Sequence, residues 1–181
     1  SPNSVVAKDL KRKAKSFENE ILNDGRLLEF QKLAAEYFAE NRFLLAHLSQ
    51  PTIAYNADRS QAKVTYLVEN PYRFDLYYYG RHQLDESDLF PNLELEKLTG
   101  ISSNPSADLS DQVLKIYKKM GYTNATVYYS EQTFEQEFIK RVKIKINEGP
   151  RVKIKEFNVT GLISRPPASY SEFIIKNSSS I

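Results

Sequence analysis

The chain has 181 residues, 41% of them apolar, and 25 Lys and Arg against 23 Asp and Glu, so it can form one ordinary core or two small ones and its formal charge is only +2. That balance gives no general affinity for polyanions, and the absence of cysteine excludes a disulfide framework, a zinc-thiolate site and thiol catalysis. No run approaches the roughly 18 apolar residues of a membrane helix and the N-terminus lacks a signal-peptide core, which gives the expectation of a soluble piece whose targeting and anchoring segments lie elsewhere.

In chain order, Val6, Leu10, Ala14, Phe17 and Ile21 recur at helical spacing and predict an amphipathic helix that ends at Asn23-Asp24-Gly25. A second helix is predicted over 27–40, with Leu28, Phe30, Leu33, Ala34, Tyr37 and Phe38 on it and Asn41 as a left-handed cap. After Pro51, two strands are predicted over 52–55 and 62–69 around a polar turn at 56–60. Alternation of Tyr72, Phe74, Leu76 and Tyr78 predicts a strand over 72–79, closed by Gly80.

A helix over 86–98 follows, with Pro91 making its first turn irregular or marking its true start. Beyond the loop ISSNPSAD, a firmer helix over 109–120 carries Val113, Ile116, Tyr117 and Met120 on one face, with Gly121 at its C-cap. Strands over 125–130 and 138–147 complete the set. The segment NEGPRVKIKEFNVTG then turns at Glu148-Gly149-Pro150 into one more alternating run, 152–160, with a possible bulge between Ile154 and Phe157.

These features repeat at about eighty residues. Pro71 matches Pro150, Tyr37 matches Tyr117 and Gly80 matches Gly161, in the same order in each copy. The expected organisation is α+β: tandem units of strand, helix, helix, strand, strand, each a small mixed sheet backed by two helices. The divisions fall at 1–70, whose first strand is missing or upstream, at 71–149, and at 150–181, the start of a third unit. Asn70, Pro71, Gly149 and Pro150 are the junctions, short enough to leave successive units little freedom.

The runs IYKKMGYTNATV and VKIKINEGPRVKIKEFNVTG, with their weaker copy, resemble POTRA domains, the polypeptide-transport-associated modules that precede the barrel in BamA-like and TamA-like outer-membrane proteins. The resemblance rests on Tyr117 before Gly121-Tyr122 and on Glu148-Gly149-Pro150 before an alternating strand that ends in Gly161; the first copy departs from it with Asn41-Arg42-Phe43 and Glu69-Asn70-Pro71. It implies a periplasmic region of an outer-membrane assembly factor that binds unfolded β-barrel clients and accessory lipoproteins. The alternatives it leaves open are a two-partner secretion transporter and an envelope or division scaffold with one dedicated partner.

A small sheet leaves a strand edge to which an extended segment can add by β-augmentation. The resemblance places that edge at Thr52, Ile53, Ala54 and Tyr55 in the first unit and at Ala125, Thr126, Val127, Tyr128 and Tyr129 in the second. Short protected edges are the competing reading. Lys143, Lys145, Lys153 and Lys155 suit a solvated sheet face, or contact with a membrane surface or an acidic partner. Nucleic acid is not expected, since no RNP-like aromatic motif or helix-turn-helix accompanies the charge.

The tyrosines of DLYYYG and VYYS divide by alternation between core and surface. His82, Asp85, Glu86 and Asp88 could suggest a metal, but acids in a helix's first turn are favoured by its dipole alone. No metal site, cofactor or catalytic residue is expected: His47 and His82 are the only histidines, and there is no phosphate loop, nucleophile elbow or dinucleotide fingerprint.

Overall fold

Val6 and Leu10, one helical turn apart, are buried, and they fix the first helix against the second in a computed structural model that describes residues 2–81 and 84–160. Helix α1 spans Pro2–Ala14 and tightens into a 3-10 turn at Lys15–Phe17. The stripe expected to run on to Ile21 stops there, with Asn19 at a φ of 68° and Ile21 81% exposed. The reason is Asn23, which begins the next helix instead of ending the first: its side chain accepts the Arg26 N–H at 2.9 Å as the N-cap of α2, Asp24–Glu40.

The end of α2 also differs from expectation. Asn41 has a φ of −97° and donates its side-chain amide to the Tyr37 carbonyl, while Arg42 takes the left-handed conformation at 61°. The Phe43 N–H then reaches back to the Phe38 carbonyl at 2.8 Å and the Arg42 N–H to that of Ala39 at 3.1 Å, the two bonds of a Schellman motif.

The chain continues as a divided hairpin of four short strands, β1 His47–Leu48, β2 Thr52–Tyr55, β3 Ala62–Thr65 and β4 Val68–Glu69. Strand β2 pairs antiparallel with β3 and β1 with β4. Pro51 has no N–H to give and divides the first arm. Around that break Ser49 bridges to Leu67, its N–H donating to the Leu67 carbonyl and its hydroxyl accepting the Leu67 N–H. The expected strand over 62–69 is therefore two pieces, and β1 is additional.

Strand β5, Arg73–Arg81, lies parallel to β7, Ile139–Asn147, and β6, Thr126–Phe134, lies antiparallel to β7 on its other side. The order is β5-β7-β6. Between β5 and β6 run α3, Glu86–Leu89, two 3-10 turns at Phe90–Asn92 and Leu95–Lys97, and α4, Pro105–Lys119. The single helix expected over 86–98 is broken because Pro91 lacks the N–H that would continue it. Asp85 and Asp88 form a capping box on α3, and Asn104 caps α4 with Pro105 in its first turn.

From β5 to β7, strand, helix, helix, strand, strand is the observed order. Phe74 and Leu76 of β5 and Val142, Ile144 and Ile146 of β7 alternate onto one face, where Leu109, Val113 and Tyr117 of α4 cover them. Each such side chain contributes roughly 1.5–3 kcal/mol by leaving water. Ala39 and Leu44, at the end of α2 and just after it, belong to this core, whereas Phe38, Phe43 and Ala46 belong with α1 to the other.

The alternating run 152–160 is a correction to the sequence reading. It forms no strand and is exposed throughout; Ile154 is 78% exposed. A strand is made by its partner's hydrogen bonds, and among the described residues no strand lies beside this run. Gly161 lies outside the described residues.

Gly80, expected to close β5, sits within it at a φ of 111°, and a Cβ there would lie 2.2 Å from the Ile146 carbonyl oxygen. The obstacle is backbone of the central strand and cannot turn aside. Gly80→Ala is expected to cost about 3 kcal/mol or more, read as a lowered midpoint in urea unfolding.

Candidate partner-binding edge and interunit joint

The direction of each backbone amide in the three-stranded sheet follows from one bond. Arg73 donates its N–H to the Phe138 carbonyl at 2.9 Å, so in the parallel ladder the even-numbered residues of β7 turn their backbone toward β5 and the odd-numbered ones toward β6. With Lys143 opposite Ser130 and Lys145 opposite Tyr128, the even-numbered residues of β6 face β7. Val127, Tyr129, Glu131 and Thr133 therefore turn their N–H and C=O groups to the outer side, where no strand pairs among the described residues.

The other edge of the sheet is closed in part. Phe74, whose N–H points away from β7, donates it to the Arg42 carbonyl at 2.8 Å. Among the described residues the sheet thus has one edge engaged by the first unit and one nine-residue edge without a strand beside it.

Helix α4 supports the open edge from behind. Glu131 accepts from the Ser106 hydroxyl and the Lys140 ammonium, and Asn104 donates to the Tyr129 hydroxyl at 3.2 Å. Burial pushes the Glu131 carboxyl up, but the bonds from Lys140 and Ser106 outweigh it and hold the group below the ordinary carboxylate range.

Of the residues expected on edges, Thr126, Val127, Tyr128 and Tyr129 are the first four of β6, whereas Ala125 precedes the strand, is buried, and gives its N–H to the Tyr122 carbonyl. The edge runs five residues past the expected set, to Phe134. Beyond the strand predicted to Ser130, the stretch Glu131-Gln132-Thr133 is polar throughout, so alternation gave it no signal. Thr52, Ile53, Ala54 and Tyr55 make up β2, which also has an outer side without a strand among the described residues; Tyr55 is half exposed beneath the Arg59 guanidinium.

The two units share a joint that sequence matching had misaligned. Helix α4 ends in the same Schellman motif as α2: the Tyr122 N–H bonds the Tyr117 carbonyl and the Gly121 N–H that of Lys118, both at 3.1 Å. One constant offset, that between Arg42 and Gly121, superposes Phe38 on Tyr117, Phe43 on Tyr122 and Ala46 on Ala125. Phe38, not Tyr37, is the counterpart of Tyr117. In both units the carbonyl of the left-handed residue accepts an N–H from the chain that follows the hairpin, Phe74 to Arg42 and Val152 to Gly121, each at 2.8 Å.

At the first joint the Arg42 guanidinium also pairs with Glu86 at 3.0 Å and lies 4.3 Å from the centre of the Phe90 ring, and the Gly100 N–H donates to the Leu44 carbonyl. At the second, Arg151 donates to the Met120 carbonyl at 2.8 Å, and a Cβ on Gly121 would lie 3.1 Å from the Val152 carbonyl oxygen. Of the expected junction residues, Asn70 and Gly149 have positive φ, 49° and 64°, and turn the chain into these contacts, with Pro71 and Pro150 next to them. Arg42 was missed because it reads as a surface charge; the signal was its place one residue before an aromatic, as Gly121 precedes Tyr122.

Glu148 is buried near Tyr117, which brings two of the quoted motifs together. Burial first, and then the Glu148 charge, push the Tyr117 phenol up to about 12. Tyr78, inward on β5, is pushed up to about 12 by burial and by the Glu86 charge, and its hydroxyl has no hydrogen-bond partner. Asp85 and Asp88 are spent on the cap of α3 and Glu86 on Arg42, while His82 lies outside the described residues. Among the described residues no cluster of His, Asp and Glu could hold a metal ion, and no helix is long and apolar enough to cross a membrane.

No protein-family model and no curated protein matches the chain. Among solved structures it is similar to the crystal structure of Haemophilus influenzae BamA POTRA3-5, at 15% identity and a TM-score of 0.36, over 85% of this chain and 62% of that one. The chain spans less than two thirds of that structure, and a likeness at this score carries neither partners nor activity across.

Two outcomes follow from the joint. Arg42→Ala removes a half-exposed ion pair and a ring contact and is expected to cost about 1 kcal/mol in thermal unfolding. Because both raised phenols are protonated when folded, stability is full below pH 10 and falls as pH rises from about 10 to about 12. Tyr78→Phe removes an unpartnered buried hydroxyl, so it should leave stability at pH 7 equal or higher and shrink the alkaline loss in urea titrations at successive pH values.

Proposed function

We propose that the chain is a tandem of POTRA-type units that binds, without catalysis, extended segments of other proteins by strand addition to β6. The observation that carries the reading is the asymmetry of the three-stranded sheet: the outer amide of Phe74 is taken by Arg42, while four residues of β6 present their N–H and C=O groups to a side where no strand pairs among the described residues. Main-chain bonds to such an edge are largely indifferent to the partner's side chains. That suits a partner that is unfolded and varied in sequence, and unfolded β-barrel proteins alternate in the manner an added strand requires.

On this reading the chain works in the periplasm as part of an outer-membrane assembly or translocation protein, and accessory lipoproteins dock elsewhere on its units. The repeated joint supports it, since an array that presents several edges in fixed relation can hold one extended client at successive points.

The test is an amide chemical-shift titration with a short extended peptide taken from an outer-membrane barrel strand. Shifts should concentrate along β6, strongest at Val127, Tyr129, Glu131 and Thr133, with weak affinity that tolerates changes of peptide sequence. Thr133→Pro removes one outward N–H and spares the ladder to β7, so it should weaken the peptide several-fold while the fold survives. An unperturbed β6 in a folded chain would refute strand addition there, and tight binding of a single peptide sequence would favour a scaffold with one dedicated partner.

A further inference from the structure

The face of the three-stranded sheet turned away from α4 carries a pattern that strand addition does not use. Pairing places Tyr79, Lys145 and Tyr128 in one row across the three strands, and Tyr77, Lys143 and Ser130 in the next. Tyr77, Tyr79 and Tyr128 are 49%, 46% and 64% exposed, and both lysines are exposed. In the following row the Arg141 guanidinium lies between the Tyr77 and Phe134 rings, 5.5 and 4.8 Å from their centres.

The charge on this face has one sign. Its only acid among the described residues is Asp75, already paired with Arg73 at 3.1 Å, and the residues that β6 contributes are Thr126, Tyr128, Ser130, Gln132 and Phe134. On a chain whose formal charge is only +2, that concentration of uncompensated cations is local.

We propose that this face rests on an anionic lipid surface. Lysines in the middle strand attract acidic headgroups at roughly 1 kcal/mol each. Tyrosines on either side of them have the apolar body and polar tip that settle at headgroup level. An extended sheet face suits a partner that is itself a surface. A single-stranded nucleic acid would instead be tracked along its backbone by a charged groove, whereas here the cations stand on one central strand with rings on both sides. The face lies beside the β6 edge and not on it, so a chain held this way keeps the edge open to the side.

Vesicle flotation of the 181-residue chain tests the assignment. Binding is expected to vesicles of phosphatidylglycerol mixed with phosphatidylcholine and not to phosphatidylcholine alone, and to weaken with salt. The double substitution K143Q/K145Q should lower partitioning about thirty-fold, with an unchanged circular dichroism spectrum and unchanged peptide shifts along β6. K118Q/K119Q, which removes the same charge from the end of α4, should change it little. An equal loss from both pairs would reduce the effect to net charge and overturn the proposal. So would indifference to lipid charge, or retention of the chain on a single-stranded oligonucleotide but not on vesicles. Because the peptide titration reads the edge and flotation reads the face, either can fail alone.

Discussion

Strand β7 is the constraint on which the second unit depends. It bonds on both sides, parallel to β5 and antiparallel to β6, and its Val142, Ile144 and Ile146 form the floor of the core. An antiparallel partner can arrive by a short turn, as β6 does. A parallel one requires the chain to cross over the sheet, and α3, the 3-10 turns and α4 are that crossover. The helical layer is thus the route by which β5 and β7 come to lie side by side, as well as the cover for their apolar face. With β5 and β6 as the flanks, one outer edge falls next to the first unit and the other has no strand beside it among the described residues.

The joint between units is built from a feature that usually only ends a helix. In a Schellman motif the left-handed residue closes the helix's last bonds and leaves its own carbonyl pointing outward. Here that carbonyl receives the next segment's amide, at Arg42 and again at Gly121. Glycine takes the conformation without strain, whereas a side chain there costs on the order of 1 kcal/mol or more. Arg42 offsets that cost through Glu86 and the Phe90 ring, contacts that glycine could not make.

The α+β order of the second unit was legible because its signals were local. The apolar stripe from Val113 to Met120 marked a helix, Gly121 ended it, and alternation marked β5 and β7. That helix begins at Pro105 and not at 109, because Asn104-Pro105 reads as loop until the Asn104 side chain is seen to cap it. What was not legible depended on partners distant in sequence. The run at 152–160 alternates as well as β7 does, yet among the described residues no strand lies beside it, so periodicity stated what it could become and not what it forms. Asn23 reads in sequence as the stop of the first helix, and only its bond from the Arg26 amide shows it to be the cap of the second. Of the candidate edge, Thr126 to Tyr129 followed from the family resemblance. The part from Glu131 to Phe134 carried no apolar period, since its place in the strand is enforced by β7. Arg42 stayed hidden because a charged residue by itself does not announce a left-handed backbone, and its place before Phe43 becomes a sign only once Gly121-Tyr122 is set beside it.

Ala39 and Leu44 have a consequence for what counts as one unit of this protein. By sequence they lie at the end of the first repeat's second helix and just beyond it; by packing they are walls of the second repeat's core. The period of the sequence and the cooperative block of the fold are therefore out of phase. A fragment begun at Pro71 would contain every strand and helix of the second unit and still lack part of its interior, with apolar faces near Leu93 and Leu95 opened to water where its neighbour had been. In this chain the boundary between repeats is a place in the sequence, whereas the physical division runs through the turn of α2 that both cores share.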